Sequence, residues 1–257
     1  MRFFTTLSPL LLAVGAVAQN SSSSSCSPSS SDVQVVEYGY ALSYFLDRFY
    51  NQVALNQTFL SGATNDSDAE YYPNFQGMQR LNRLAVRGVQ QLGAKTSGFT
   101  APNCSFTFPS ANSGEAFVQT ALTLESSVAG AYIALAGYTQ APEVSFLWAR
   151  LAAEHTAHAY YLASNQEDIL FPANSSGLVP AYSPAFVLSS GSQKGQLGRY
   201  LGGCVSAPPA PCGQTLFIGP IGATLTANVS ASAAASSSAS LAASATPSPS
   251  WAKRALF

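Results

Sequence analysis

The sequence predicts an all-α protein built on a four-helix bundle. Four stretches of roughly 20 residues carry apolar side chains at helical spacing. The last two are joined by a connection so short that they must be antiparallel neighbours. Ionisable side chains fall on the apolar faces of these two helices, where each needs a polar partner. Segments rich in serine, proline and glycine after the helices predict an irregular C-terminal extension. The serine-rich composition of both chain ends predicts disordered tails.

Residues 1–18 have the features of a secretion signal that is removed from the mature protein. Met1-Arg2 is followed by an apolar run and by Ala16-Val17-Ala18, the small-x-small pattern that a signal peptidase requires. The run is short for a bilayer span, and no second run of adequate length follows it, so we expect no transmembrane segment. The predicted location is extracellular, either free or associated with the cell wall.

Charge and composition exclude some partners. Only 9% of the 257 residues are charged and the formal net charge is −1, which gives no electrostatic basis for binding nucleic acid. Six asparagines begin sequons at which a secreted chain can be glycosylated. They are Asn20, Asn56, Asn65, Asn103, Asn174 and Asn228.

Four cysteines in an oxidising compartment predict two disulfides, for which three pairings are possible. We favour Cys204 with Cys212, which closes a short proline-rich loop, and Cys26 with Cys104. A metal site made of cysteines is the weaker hypothesis, because the chain has no Cys-x-x-Cys spacing.

Residues 19–31 are a serine-rich run with nothing to bury, and we expect them to be disordered. The first helix is predicted to follow Asp32 and to end near residue 53. The apolar stripe of this first helix consists of Val35, Tyr38, Leu42, Phe45, Leu46 and Phe49. Residues 55–74 carry loop signals.

The second helix is predicted from about residue 75 to 94. Its apolar positions at helical spacing are Phe75, Met78, Leu81, Leu84 or Ala85, Gly88 or Val89, and Leu92. Its three arginines, Arg80, Arg83 and Arg87, indicate a solvated basic face, with an anion-binding stripe as the alternative.

The third and fourth helices, near residues 113–137 and 142–164, carry the candidate site. Glu125 lies in the middle of the apolar stripe of the third helix. His155 and His158 lie on the apolar face of the fourth, with Glu154 near its edge. Glu125, Glu154 and His158 are at similar distances from the turn, about 25 Å of helical rise, so we expect Glu125 to lie at the level of both Glu154 and His158.

These segments resemble the ferritin-like bundle, and more narrowly the secreted fungal ferritin-like proteins of late sexual development and stress response. The resemblance covers about residues 32–164. Its motifs are Val36-Glu37-Tyr38-Gly39-Tyr40-Ala41-Leu42-Ser43-Tyr44-Phe45 with Phe49-Tyr50, Leu124-Glu125 with Ala131-Tyr132, and His155 with His158-Ala159 and Tyr161-Leu162.

A dimetal centre of this fold takes one glutamate from each of two helices and a Glu-x-x-His pair from each of the others, because two neighbouring cations need bridging carboxylates. This sequence has Ser43 where the first-helix glutamate would stand, and the three arginines in the region of the second-helix pair. His155 stands where a glutamate would precede His158, with Glu154 one residue away. The resemblance therefore implies a degenerate site.

The remaining candidate ligands are Glu125, Glu154, His155 and His158, enough for a single Fe, Mn or Zn ion with water. The alternative is a buried Glu–His hydrogen-bond network with no cofactor and with Tyr132 or Tyr161 nearby.

Two classes of function stay open. We expect a secreted, non-catalytic protein with a structural or surface role, which the resemblance links to fungal development or stress. The other class is a metal-binding protein or oxidoreductase that uses the four ligands. Both histidines lie on one helix and no Gly-x-Ser-x-Gly element occurs, which argues against a serine hydrolase.

After the bundle, residues 165–220 are predicted to wrap it irregularly, pinned by the Cys204–Cys212 disulfide. Residues 221–257 are rich in serine and alanine and predict a disordered, O-glycosylated tail.

Overall fold

The computed structural model describes residues 27–226. The predicted signal peptide, Cys26, the sequons at Asn20 and Asn228, and most of the predicted tail lie outside the described residues. The helices are α1 (Val33–Tyr50), α2 (Gln57–Leu60), α3 (Asp66–Ala69), α4 (Tyr71–Lys95), α5 (Gly114–Leu135), α6 (Pro142–Ser164), α7 (Pro184–Val187) and α8 (Gly198–Leu201). Short 3-10 turns at Ser30–Asp32, Ala136–Tyr138 and Pro211–Gly213, and the strands β1 (Thr215–Ile218) and β2 (Ala223–Thr226), complete the described fold.

The four long helices α1, α4, α5 and α6 form the predicted all-α bundle, in which α1 packs mainly on α4 and α5 mainly on α6. Every apolar residue predicted for the stripe of α1 is buried. Burying six large side chains at about 1.5–3 kcal/mol each is a main source of bundle stability. The predicted fold class is therefore confirmed.

Contacts between the long helices fix their directions. Tyr50, at the end of α1, contacts Met78 near the start of α4, so α1 and α4 are antiparallel. Tyr50 also contacts Glu125, whereas Ser43 contacts Tyr132, so α1 is antiparallel to α5 as well. Consequently α4 and α5 point the same way, and the linker 96–113 must return along the length of the bundle.

The inward face of α4 agrees with the predicted one except at Leu81, which is 37% exposed, whereas Asn82 beside it is fully buried. At the position left open between Leu84 and Ala85, Ala85 is the buried residue. The other buried apolar positions are Phe75, Met78, Val89 and Leu92. The three arginines are exposed, and Arg83 lies 3.8 Å from Asp47. They therefore form the solvated basic face that the sequence indicated.

Two segments predicted to lack structure contain short elements. Residues 55–74 include α2, whose first turn is capped by Asn56 as it accepts from the backbone N–H of Phe59 at 2.9 Å. The serine-rich segment ends in the 3-10 turn, because buried Asp32 accepts from the backbone N–H of Ser29 at 2.9 Å. The fold therefore begins slightly earlier than predicted.

The favoured disulfide pairing is wrong. Cys104 is bonded to Cys204, and Cys212 is a free, exposed cysteine within the described residues. The physical reason is the path of the linker 96–113, which lies against the extension: Thr107 N–H donates to the carbonyl of Tyr200 at 3.0 Å. This contact places the two cysteines side by side, which sequence spacing could not reveal.

The extension after α6 is largely irregular, as expected, and it is fixed to the bundle by close backbone contact. Tyr182 N–H donates to the carbonyl of Gly130 at 3.0 Å. A Cβ atom at position 130 would lie 2.6 Å from the carbonyl oxygen of Pro180, so glycine permits this approach.

The predicted start of the tail at residue 221 is too early. Strand β2 pairs with β1 in an antiparallel hairpin, with Thr215 opposite Thr226 and Ile218 opposite Ala223. Strand β2 has only four residues, Ala-Thr-Leu-Thr, so its alternation of apolar and polar side chains is too short to distinguish it from the serine- and alanine-rich segment that follows.

No helix among residues 27–226 combines the length and apolar character that crossing a membrane requires.

Candidate metal centre

Glu125 is the centre of a buried polar group contributed by three of the long helices. It lies in the middle of α5 and is 0% exposed. Nδ1 of His155 lies 2.7 Å from its Oε2, and Nδ1 of His158 lies 3.3 Å from its Oε1. The hydroxyl of Tyr50, from α1, donates to Oε1 at 2.6 Å. A single carboxylate thus has three partners.

The charges of this group follow from its contacts. Burial alone would raise the pKa of Glu125, but the charges and hydrogen bonds of His155 and His158 lower it to about 2. Burial alone would lower the pKa of His158, but the hydrogen bond and charge of Glu125 raise it. Because an ionised carboxylate only accepts hydrogen bonds, each Nδ1 must carry the donated proton. The metal-free group is therefore a hydrogen-bonded network around a charged carboxylate.

Ring stacking fixes the orientation of His155. Its imidazole stacks on Tyr132, with 5.5 Å between ring centroids and 17° between planes. Tyr132 stacks in turn on Trp148, at 5.6 Å and 9°. The Trp148 ring packs directly on the backbone of Gly39, where a Cβ atom would lie 2.3 Å from it. The three stacked rings leave His155 no room to rotate away from Glu125.

The helices α1 and α4 place neutral side chains, and not carboxylates, near Glu125. Tyr50 is the α1 side chain that reaches Glu125, and its hydroxyl also lies 3.7 Å from the sulfur of Met78 on α4. Ser43 bonds instead to the hydroxyl of Tyr132 at 2.6 Å. Tyr132 is two turns of α5 away from Glu125, about 10 Å. Asn82, one turn after Met78, bonds to the Met78 carbonyl at 2.9 Å.

The family model of the ferritin-like domain matches residues 31–167, which is more than half of the chain. The chain belongs to the ferritin-like domain family. Among curated proteins, none matches it significantly. The matched segment contains all four long helices, and thus every residue of the polar group described above.

Three of the four ligands predicted from the sequence meet in this ferritin-like bundle. Donor atoms of Glu125, His155 and His158 all lie within 4.8 Å of one another. Glu154 is not a member of this group. It is partly exposed, and its charge raises the pKa of His158 from a greater distance. Its buried Oε1 has no hydrogen-bond partner among residues 27–226.

Tyrosines near the site also differ from expectation. Tyr132 is part of it, through its stack on His155. Tyr161 is not, because its hydroxyl donates to the backbone carbonyl of Ala69. Tyr50 was missed as a site residue, although it continues the helical spacing of Leu42 and Leu46. Its burial raises its pKa, with Glu125 as a further cause, so it stays a hydrogen-bond donor.

The residues fit one metal ion and do not fit two. One carboxylate and two imidazoles in a buried group are a suitable donor set for Zn, Mn or Fe. Nε2 of His155 is buried and lacks a hydrogen-bond partner within the described part of the chain. A second cation would need carboxylates from α1 and α4, where the structure has Tyr50, Ser43, Met78 and Asn82.

Proposed function

We propose that this chain is a secreted ferritin-like protein that binds one divalent transition-metal ion through Glu125, His155 and His158. One observation carries the proposal: three ligand-type side chains from α5 and α6 converge within 4.8 Å in the centre of the bundle. Burying three ionisable groups together is costly unless they pair or bind a cation. These three side chains would hold the ion in place of the hydrogen bonds that now join them, and the ion would supply Lewis-acid character at the site.

We do not propose dimetal oxidase chemistry for this site. That chemistry depends on two cations bridged by several carboxylates, and the group contains one carboxylate. Tyr50 occupies the side of Glu125 that faces α1, and a neutral hydroxyl does not compensate a second cation. The proposed role therefore rests on a single bound ion and not on a pair of bridged cations.

A second candidate is a metal-free structural protein. The observation in its favour is that Glu125 already accepts from Tyr50, His155 and His158. A buried carboxylate whose oxygens are hydrogen-bonded in this way can help to specify a unique core without any ion. In this reading the ferritin-like bundle has a purely structural or surface role.

Secretion is supported by three features. The N-terminal 18 residues have the pattern of a signal peptide. Cys104 and Cys204 form a disulfide, as is usual in oxidising compartments. The sequon asparagines Asn56, Asn65, Asn103 and Asn174 are all exposed, so glycans there would not disturb the core. The resemblance to secreted fungal proteins of development and stress favours a role outside the cell or at its wall.

Metal content tests the proposal. The full chain is purified from the culture medium of a eukaryotic host without chelators, and its metals are counted by plasma mass spectrometry. We expect close to one transition-metal ion per chain, lost in His158→Ala and retained in Glu154→Gln, which serves as the matched control. Two ions per chain would contradict the single-ion site. A folded protein that stays metal-free in excess Zn, Mn and Fe would favour the structural candidate.

A further inference from the structure

We propose that the outer face of α6 is a dimer interface, against which a second copy of this chain packs its own α6 in the antiparallel direction. A helix on the surface of a bundle normally turns polar and charged residues outward, and the outer face of α4 does so with its three exposed arginines. On α6, the exposed residues from the second turn to the last are mostly apolar or small. They are Phe146, Ala149, Arg150, Ala153, Ala157 and Tyr160.

The spacing of these residues is symmetric about Ala153. Two alanines, Ala149 and Ala157, lie four residues from it on either side, and the aromatic residues Phe146 and Tyr160 lie seven residues from it. Seven residues are two turns of helix, so all five share one face. Because the order is the same in both directions, the face is complementary to its own antiparallel copy.

A two-fold axis beside Ala153 would use this symmetry. It would bring Phe146 of one copy to the level of Tyr160 of the second copy, and Ala149 to the level of Ala157 of the second copy. Helices approach most closely where the side chains between them are small, and the aromatic rings would close the contact at both ends. A two-fold interface requires such a self-complementary patch, which is why a second copy is the occupant that we infer.

The exposed apolar area is suitable for a dimer. Phe146, Tyr160 and Phe171 are 68%, 52% and 78% exposed, and Phe171 stacks on Tyr160 with 6.1 Å between ring centroids. At about 200 Å² for each aromatic side chain, they expose about 400 Å². A stable interface buries about 800 Å² per partner. The three rings would therefore supply about half of it, and the alanines and flanking side chains would supply the rest.

An apolar hollow continues this face towards α5. Its volume is about 710 Å³, and no charged residue of the described part of the chain lines it. Its floor includes Ala153 and Ala157, and Ile133 of α5 lies on its far side. Water in such a hollow finds few polar partners, so covering it with a second copy is favourable.

The charges beside the alanines are complementary across the same axis. Arg150 and Glu154 lie on one flank of the face, four residues apart. Arg150 is exposed and has no ion pair among residues 27–226, and Oε1 of Glu154 has no hydrogen-bond partner there. In the antiparallel pair, Arg150 would lie within about 3 Å of helical rise of the level of Glu154 of the second copy. Opposite charges would thus meet twice and favour this register.

Dimerisation does not depend on the proposed metal site. His155 and His158 are buried and point into the bundle, away from the outer face of α6. Metal content and association are therefore separate measurements, and either proposal can fail without the other.

The mass of the full secreted chain tests the interface. After removal of N-glycans, sedimentation equilibrium is measured from nanomolar to high micromolar protein, and electrophoresis without reductant detects covalently linked pairs. We expect a reversible, non-covalent dimer with a micromolar or lower Kd. A protein that is monomeric throughout, or paired only through disulfides, would overturn the proposal.

A charge at the centre of the face tests its location. Ala153→Arg places two like charges at the two-fold axis, and we expect dimerisation to weaken by about a hundredfold or more. Ala153 is exposed in the single chain, so the helical circular dichroism spectrum should not change. Ala94→Arg alters an exposed alanine at the end of α4 and is the matched control. A dimer that survives Ala153→Arg, or is weakened equally by Ala94→Arg, would place the interface elsewhere and overturn the proposal.

A double-mutant cycle tests the antiparallel register. Phe146→Glu and Tyr160→Lys each remove one ring and should each weaken the dimer. The two positions are about 21 Å apart along α6, so the new charges cannot pair within one chain. In the antiparallel dimer they would meet across the interface, and we expect the double variant to associate about tenfold more tightly than additive single effects predict. Additive effects would overturn the antiparallel pairing.

Discussion

Tyr50 and Glu125 join the two halves of the bundle: the tyrosine hydroxyl on α1 lies 2.6 Å from Oε1 of the glutamate on α5. Both side chains are fully buried. The carboxylate owes its low pKa to the two histidines of α6, and the tyrosine adds a donor from the opposite side. A hydrogen bond to a buried charge is therefore one polar link between α1 and the α5–α6 pair, and the Ser43–Tyr132 hydrogen bond is another.

Removing this link should be costly. Tyr50→Phe keeps the ring but takes away one donor of the buried carboxylate, and loss of a hydrogen bond to a charged group costs about 1.5–3 kcal/mol. We expect the free energy of unfolding to fall by that amount in urea titrations of metal-free protein. Tyr44→Phe is the control, because Tyr44 lies on the same helix and packs through its ring on Tyr40 and Phe106. An equal effect of both variants would contradict the role of the hydroxyl.

Changing Glu125 should have a larger effect than changing its neighbour Glu154. Glu125→Gln replaces a buried charged acceptor of three hydrogen bonds by a neutral amide, and a hydrogen bond to a charged group contributes about 1.5–3 kcal/mol. Glu154→Gln changes a partly exposed carboxylate outside the group and should shift stability much less. Urea unfolding in the presence of a chelator measures both. Comparable losses would show that Glu154 belongs to the network.

Two glycines in helices should respond oppositely to alanine. At Gly39 a Cβ atom would lie 2.3 Å from the Trp148 ring, and overpacking of this kind costs about 1–3 kcal/mol. At Gly77, within α4, nothing lies within 4 Å of the new atom, and alanine should stabilise the helix by about 0.5–1 kcal/mol. Thermal and urea unfolding of Gly39→Ala and Gly77→Ala give the signs. Destabilisation by both would contradict the packing described here.

Stability should fall in acid partly through Glu115. Its carboxylate accepts from the backbone N–H of Thr64 at 2.7 Å, and this bond is the main cause of its lowered pKa. A group with a lowered pKa stabilises the fold above its unfolded pKa, and this contribution is lost as the pH falls through the folded value. Glu115→Gln should therefore lower the melting temperature at pH 7 and converge with wild type in strong acid. A constant difference between the two across this range would exclude ionisation as the cause.

The four long helices could be predicted because their information is local. The apolar spacing of α1 and the proline at the start of α6 fix helices whatever the rest of the chain does. The meeting of Glu125 with His158 was also predictable, since a short connection sets the register of antiparallel neighbours. On α4 the prediction was wrong at one position: Leu81 matched the spacing as well as Asn82 did, and only packing placed Asn82 inside.

The disulfide shows where local information ends. Cys104 and Cys204 are 100 residues apart in sequence, and their proximity follows from the path of the linker 96–113 over the bundle. Spacing favoured the nearby Cys212 because loop closure is easiest over short distances. Tyr50 was missed for a similar reason, because a tyrosine at the end of an apolar stripe looks like any other core residue.

The sequence alone determined which residues form the long helices and that the histidines and Glu125 turn inward, because both properties depend on spacing along one helix. Only the tertiary structure decided which side chain of α1 faces Glu125, that Glu154 stands outside the group, and which cysteines pair. These three relationships depend on the relative positions and orientations of separate elements. Packing between segments that are distant in the chain determines those positions.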